Sequence, residues 1–189
     1  AFMESLAKTD ESINTMTGQV QYTIIQALES DLQKRIGNLY LTTDHESGQR
    51  GYAVRFNSLQ LDNRLSDIRE HYIFDGRWFN IDLLDHTDGL ANNPDFPELS
   101  FLIETVEDSQ QIKLSPKPGS GFEDDWEWVR IWFNSATNLP MLYVKADWSG
   151  DLQIVQLFDV KTNTELDPRL FDTTTPPPES GWNSQISPW

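Results

Sequence analysis

The histidines of this chain, which often carry out catalysis, are few and poorly spaced for it. His45, His71 and His86 lie far apart, and none stands in a metal-ligand spacing such as H-E-x-x-H. The stretch 85–88, Asp-His-Thr-Asp, is the best candidate for acid–base chemistry. It lies in a hydrophilic segment that is more typical of a solvated turn.

Nucleophilic and metal chemistry also lack their usual signatures. The chain has no cysteine, which excludes disulfides, thiolate metal sites and cysteine nucleophiles. Gly119-Ser120-Gly121 lacks the G-x-S-x-G frame of a nucleophile elbow. Residues 123–125, Glu-Asp-Asp, are of the type that binds Ca²⁺, but they lack the spacing of an EF-hand. The sequence therefore predicts a protein that is not an enzyme, with no catalytic residue, no metal site and no cofactor.

The charge of the chain restricts its partners. Its 189 residues, the size of one domain, carry 14 Lys and Arg against 30 Asp and Glu, a net charge of −16. That balance argues against nucleic acid and against anionic membrane surfaces as partners. No apolar run approaches the roughly 18 residues of a membrane span, and we expect any signal or anchor segment upstream of Ala1.

A hairpin at residues 66–84 is the clearest local prediction. Two runs of aromatic and β-branched residues flank Asp75-Gly76, a pair that favours the positive φ values of a tight hairpin turn. Both faces of these runs carry apolar side chains. A strand of that kind belongs to a covered sheet or to one that wraps a cavity.

The other elements follow from periodicity and from breakers. Residues 1–16 have helical spacing, and a short helical turn is predicted at residues 167–171. Strands are predicted at residues 19–24, 36–42, 52–56, 100–106, 111–115, 126–133, 139–148 and 152–160. Residues 98–105 also fit a helix, and 43–51, 85–97 and 116–125 are predicted loops. The Pro-rich stretch 173–182 is predicted to be irregular, with the apolar residues of 173–189 packing back onto the sheet or its rim.

These elements indicate one α+β domain that covers residues 1–189. It has an N-terminal helix (1–16), a curved antiparallel sheet (17–161), and a short helical turn with a Pro-rich tail (162–189). About nine to eleven strands in one domain exceed what an open flat sheet usually tolerates. The sheet is therefore expected to curl into an incomplete β-barrel, with the N-terminal helix and short helices as a lid.

Four motifs, in this order, resemble the periplasmic outer-membrane lipoprotein carrier family, LolA. They are the strand opening at 16–23, the G-x-L-x-L strand at 37–41, the D-G-R-W hairpin at 75–78 and the L-x-P-K strand at 114–117. The end of the chain, with Phe171, a Pro-rich stretch and Gly181-Trp182, is also similar. The resemblance covers most of the chain.

The resemblance implies a non-enzymatic carrier that shelters acyl chains of a lipoprotein or other lipid inside the half-barrel. It implies a periplasmic or cell-envelope location, a monomer, and an envelope protein as a further partner. The cavity-facing residues that it indicates are aliphatic and aromatic: Leu39, Leu41, Val54, Phe56, Val129, Ile131, Phe133, Leu142 and Val144. Apolar strand faces also fill ordinary cores, and the sequence leaves that alternative open.

One departure from the family concerns the lid. The carriers follow the G-x-L strand with an Arg-Pro pair whose Arg helps to hold the lid, whereas Leu41 is followed here by Thr42-Thr43-Asp44. Related proteins with this fold act as a lipoprotein receptor or as a sigma-factor regulator. A protein-interaction or envelope-sensing module therefore stands as the alternative function.

Overall fold

The computed structural model describes residues 2–28, 31–61, 64–84, 91–92, 106–120 and 123–188. Within these residues there is one α-helix, and eleven β-strands follow it. The bounds are α1 Phe2–Ser12, β1 Thr15–Gln26, β2 Asp31–Thr43, β3 Arg50–Leu61, β4 Arg64–Phe74, β5 Trp78–Leu84, β6 Ala91–Asn92, β7 Ser109–Leu114, β8 Trp128–Asn134, β9 Pro140–Ala146, β10 Leu152–Thr162 and β11 Trp182–Pro188. Two 3-10 turns, Pro168–Phe171 and Pro178–Ser180, lie between β10 and β11.

All strands belong to one antiparallel sheet. Ten of them follow the order β11-β5-β4-β3-β2-β1-β10-β9-β8-β7, and the two-residue β6 pairs with β4. Within the described part of the chain, β11 and β7 end this order and do not pair with each other. The sheet is thus a curved, incomplete barrel with α1 as a lid, which confirms the predicted α+β fold.

The predicted central hairpin is formed by β4 and β5. Phe74 pairs with Phe79, and the Asp75 carboxylate accepts hydrogen bonds from the backbone N–H groups of Arg77 and Trp78 at 2.8 and 2.7 Å. Gly76 has a φ of +95°, whereas Asp75 is not among the residues with positive φ. Gly76 therefore supplies the positive φ of the turn, and the Asp75 side chain stabilises the turn by accepting these two hydrogen bonds.

The N-terminal helix is shorter than the sequence predicts. It ends at Ser12, and β1 begins at Thr15. Met16, which the periodicity assigned to the helix, pairs with Leu41 of β2 and is 7% exposed. One apolar residue at position 16 fits the last turn of a helix as well as the start of a strand, so periodicity alone placed this boundary wrongly.

The C-terminal tail adds an edge strand to the sheet. Residues Trp182–Pro188 form β11 and pair with Leu84–Trp78 of β5. This confirms that the tail packs back onto the sheet, but it corrects the prediction of irregular structure, since Pro178–Ser180 is a 3-10 turn and Trp182 begins a strand. Pro188 lies at the end of this edge strand, where a missing N–H is tolerated.

The remaining predictions have mixed outcomes. The predicted helical turn exists as the 3-10 turn Pro168–Phe171, capped by the Asp167 carboxylate. The strand predicted at 111–115 is β7, and the last three predicted strands correspond to β8, β9 and β10. The alternatives for 98–105, and most of the loop predicted at 85–97, lie outside the described residues. Val106, the last residue of the strand predicted at 100–106, is not in a strand.

The register defines two faces of the sheet, because side chains that pair across a ladder lie on the same side. One row runs through paired residues from β8 to β2: Ile131, Tyr143, Val155, Tyr22 and Arg35. The face that carries this row is called the helix face, since α1 also packs on it. The other, the core face, carries the buried cluster of Trp132, Val144 and Ile154.

Candidate functional site: two apolar cavities on the helix face

The strand cavity is an apolar pocket of about 510 Å³ on the helix face. Five strands contribute to it, and its lining consists of Val20, Tyr22, Ile24, Arg35, Leu39, Val54, Phe56, Tyr72, Val155 and Leu157. Small-molecule sites measure about 300–1,000 Å³ and are predominantly apolar with a few placed polar groups. The strand cavity matches that description.

Alternation along each strand places these residues. In β1, Val20, Tyr22 and Ile24 are every second residue, and in β10 Val155 and Leu157 are their cross-strand neighbours. Leu39 of β2 pairs with Val54 of β3. Aromatic contacts close one side, with the Phe56 ring 5.9 Å from that of Tyr72 and 6.4 Å from that of Tyr22.

The helix cavity, of about 500 Å³, lies between α1 and the sheet. Met3, Leu6 and Ala7 contribute from the helix, while Leu41, Ile112 and Phe133 contribute from the strands. The Phe2 ring packs edge-on against Phe133 with the ring centres 5.9 Å apart.

α1 makes polar contacts with the rest of the described chain, among them Asn138 with the Thr9 hydroxyl and Asn163 with the Ser12 carbonyl oxygen. Asn138 donates to the Ser5 hydroxyl at 2.8 Å, and an exposed ion pair joins Arg50 to Asp10 at 2.7 Å. Exposed ion pairs contribute little, with a median of about 0–1 kcal/mol. Thr43, in the stretch that stands in place of the carriers' Arg-Pro pair, lines the helix cavity. The Arg50–Asp10 pair is therefore a weak contact of the lid, whose apolar residues line the helix cavity.

A third depression, of about 690 Å³, is more polar. It lies beside β7 and the turn at Trp148, and its lining includes Lys113, Glu123, Asp124 and Glu127. Charged groups that face a cavity penalise an acyl chain, because they lose hydration without gaining a partner. This depression is therefore unsuited to apolar cargo.

Most of the predicted cavity residues lie on the helix face. Leu39, Val54 and Phe56 line the strand cavity, and Leu41 and Phe133 line the helix cavity. Val129 and Ile131 share this face, as the pairing of Ile131 with Tyr143 shows, but they do not line the strand cavity or the helix cavity. The ligand-binding role of these seven residues remains a prediction.

Leu142 and Val144 do not share the face of these seven residues, and their ligand-binding role also remains a prediction. Leu142 pairs with Trp132, and Val144 pairs with Arg130, so both side chains lie on the core face. Val144 is 0% exposed within the cluster formed with Trp132 and Ile154. The register with β8 and β10 distinguishes the two faces of β9.

Several lining residues were not predicted. They come mainly from β1 and β10, whose alternation is visible in the sequence as Val20-x-Tyr22-x-Ile24 and Val155-x-Leu157. What the sequence did not show is that the first and the tenth strands are neighbours. Arg35 was missed for another reason, since a charged residue was not expected in an apolar cavity.

The polar groups of the strand cavity form one connected cluster. Arg35 Nε donates to Glu70 Oε2 at 2.9 Å, across the intervening strand β3, and the Tyr72 hydroxyl donates to the same oxygen at 3.4 Å. Burial raises the pKa of Tyr22, although the Arg35 guanidinium opposes the shift. Burial and the adjacent Glu70 carboxylate raise the pKa of Tyr72. Both phenols therefore stay neutral at ordinary pH.

The described residues contain no group of three or more His, Asp or Glu side chains arranged to hold a metal ion. His71 instead stacks on Trp182 with ring centres 4.7 Å apart, and His45 Nε2 lies 2.9 Å from the Ile13 carbonyl oxygen. The acid–base candidate at 85–88 lies outside the described residues. No helix in the described part of the chain has the length and hydropathy needed to cross a membrane.

No protein-family model and no curated protein matches the chain. Among solved structures, an uncharacterized conserved protein from Thermus thermophilus matches over 90% of this chain and 93% of that chain, at 12% identity and a TM-score of 0.52. This match shows likeness of fold alone.

Two further structures have lower scores. A DUF1329 family protein from Desulfovibrio piger matches over 90% of this chain and 95% of that chain, at 9% identity and a TM-score of 0.41. A LolA superfamily protein from Nitrosomonas europaea matches over 89% of this chain and 96% of that chain, at 11% identity and a TM-score of 0.36.

Proposed function

We propose that this protein is a non-enzymatic binding protein that shelters an acyl chain of a lipid or lipoprotein in the strand cavity. The observation that carries the proposal is the cavity itself, a pocket of about 510 Å³ whose lining is apolar or aromatic apart from Arg35. The expected compartment, the periplasm or cell envelope, rests on the sequence resemblance.

The energetics favour an acyl ligand. Each methylene group removed from water contributes about 0.8 kcal/mol, so ten buried methylenes supply roughly 8 kcal/mol before the costs of association. Lining residues such as Leu39, Val155 and Leu157 are only partly buried, so they retain surface that a ligand can cover. In a filled core these side chains would already be fully buried.

The direct test is a titration of the purified protein with a fluorescent fatty acyl probe, alongside native mass spectrometry for co-purified lipid. We expect saturable binding of one probe per chain. The residues Leu157 and Phe158 provide a matched pair of variants, since Leu157 lines the cavity and Phe158 is 45% exposed.

Leu157→Glu places a carboxylate in the cavity and should abolish probe binding, because a buried unpaired charge is strongly disfavoured. Phe158→Glu adds the same charge on the neighbouring residue and should leave binding intact. A wild-type protein that binds no acyl probe and carries no lipid would overturn the proposal. In that case the alternative, a protein-interaction or envelope-sensing module, would be the better hypothesis.

A further inference from the structure

The strand cavity has a polar cluster at its lining, which we call the head-group cluster: Arg35, Glu70, Tyr22 and Tyr72. Arg35, Tyr22 and Tyr72 line the cavity, and Glu70 bonds to both Arg35 and Tyr72. The ion pair is largely withdrawn from water, with side chains 19% and 16% exposed. The rest of the lining is apolar, so a ligand that fills the cavity would place its polar part here.

The cluster has both donors and acceptors to offer. Arg35 uses Nε for its short bond to Glu70, whereas its Nη1 reaches Gln33 only at 3.5 Å. Tyr22 is the residue directly across from Arg35 in the β1–β2 ladder. On the acceptor side, the contacts from Arg35 and Tyr72 use the same Glu70 oxygen, Oε2. A guanidinium has five N–H donors and a carboxylate has two acceptor oxygens, so the pair can bind a further polar group.

The charges in the cluster disfavour an anionic ligand. Arg35 is already neutralised by Glu70, and the chain as a whole carries −16. A ligand carboxylate would bring a second negative charge beside Glu70, and like charges at that range disfavour each other's ionised form. An uncharged carbonyl can accept from Arg35 while a ligand hydroxyl or amide N–H donates to Glu70, with no new charge buried.

We propose that the head-group cluster binds an uncharged ester or amide head and thereby selects acylglycerols and N-acyl peptides over free fatty acids. This inference rests on the proposed function, since it requires the acyl chain to occupy the strand cavity. It assigns Arg35 and Glu70 a role in specificity.

The test uses three probes with one fluorescent chain: the free fatty acid, its glyceryl ester and its amide with a short uncharged peptide. Titrations at pH 8 keep the fatty acid ionised. The wild-type protein should bind the ester and the amide about tenfold more tightly than the acid, as expected for loss of a favourable polar contact and gain of a like-charge contact. The relative affinity of the ester and the amide then shows whether the head-group cluster fits an acylglycerol or an N-acyl peptide better.

Glu70→Gln provides the decisive variant. It removes the competing carboxylate and leaves Arg35 free to pair with a ligand anion, so binding of the free acid should strengthen about tenfold, as expected for a charge-assisted hydrogen bond. The double variant Arg35→Met with Glu70→Gln should lose this gain. Glu127→Gln removes the same charge at an exposed site outside the strand cavity and should leave all three affinities unchanged.

The outcomes separate the two proposals. If no probe binds the wild-type protein, the proposed function fails. If all three probes bind equally, and Glu70→Gln changes none of them while Leu157→Glu abolishes them all, the cavity binds acyl chains and the head-group inference is overturned. The inference is supported only by preference for the uncharged heads together with the Arg35-dependent gain in acid binding.

Discussion

Tyr143 lies directly opposite Ile131 in the ladder of β8 and β9, so the neighbouring residue Val144 belongs to the other face of the sheet. Val144 is 0% exposed and packs with Trp132 and Ile154, whereas Ile131 is half-buried on the helix face. Equivalent substitutions at these two residues should therefore have different effects on folding.

We expect Val144→Glu to unfold the domain and Ile131→Glu to leave it folded. An unpaired carboxylate buried in the core costs several kcal/mol, against a total stability of about 5–15 kcal/mol. At Ile131 the carboxylate has access to water. Circular dichroism and urea denaturation of both variants check this. Loss of structure in both, or in neither, would contradict the assignment of faces.

Strand β9 also shows which structural features could be predicted from the sequence and which could not. The composition of residues 139–148 predicts a strand correctly, but it does not tell which face of that strand lies toward the cavity, since the register with the neighbouring strands decides this. The turn residues of the central hairpin, in contrast, determine their own structure, and β4 and β5 were predicted within a few residues. Element type was therefore set by local chemistry.

The strand cavity depends on long-range pairing, which the sequence does not encode locally. Tyr22 and Val155 become neighbours only because β1 pairs with β10. Arg35 was missed because its charge is compensated by Glu70, 35 residues away in the chain. Predicting either contact requires the register of several strands at once.

The hairpin turn supplies a second prediction. Gly76 has a φ of +95°, and a Cβ there would lie 2.5 Å from Gln49 Cγ, whose amide donates to the Asp75 carbonyl oxygen. Gly76→Ala should therefore lower the free energy of unfolding by about 1–3 kcal/mol, the range for a strained backbone conformation. Because the new Cβ must also displace Gln49, we expect a loss near the upper end of that range.

Gly119→Ala is the matched control. Gly119 has a φ of +76°, but a Cβ at that position would meet nothing within 4 Å. Urea midpoints of the two variants should show the larger loss at Gly76. Equal losses would mean that Gln49 moves aside without cost, and an unchanged midpoint for Gly76→Ala would contradict the role of the turn.

The attachment of the tail gives a third prediction. The Ser184 hydroxyl of β11 donates to Asp82 Oδ1, while Asn80 donates to the other carboxylate oxygen at 3.1 Å. Asp82 is only 4% exposed. Ser184→Ala leaves a buried carboxylate oxygen without this donor and should destabilise the protein by about 1–3 kcal/mol.

Ser187→Ala tests whether that loss comes from the hydrogen bond or from the removal of a hydroxyl in β11. Ser187 lies in the same strand but pairs with Phe79, on the other face from Asp82. Its substitution should change the free energy of unfolding by less than about 0.5 kcal/mol, as expected for a site without a buried polar partner. Equal effects at both serines would refute the role of the Ser184–Asp82 bond.

The last prediction concerns the pH dependence of stability and His71 of β4, whose ring contacts the tail at Trp182. Burial lowers the pKa of His71, and the nearby Arg55 and Arg69 guanidinium groups add to this, while Asp82 opposes it. The ring stacks on Trp182 of β11. His71 is therefore neutral in the folded protein at pH values where the unfolded chain already binds a proton.

The direction of the effect follows from proton linkage. The ordinary pKa is 6.5, and the folded value is lower, so above 6.5 both states are neutral at this group. As the pH falls below 6.5, the unfolded state takes up the proton first, and stability decreases until the folded pKa is passed. His71→Phe keeps a ring against Trp182 and removes the titration. We expect the wild-type midpoint of urea denaturation to fall more than that of His71→Phe between pH values of about 7.5 and 5.5, on either side of the ordinary histidine pKa. Parallel curves over this range would show that His71 titrates alike in both states.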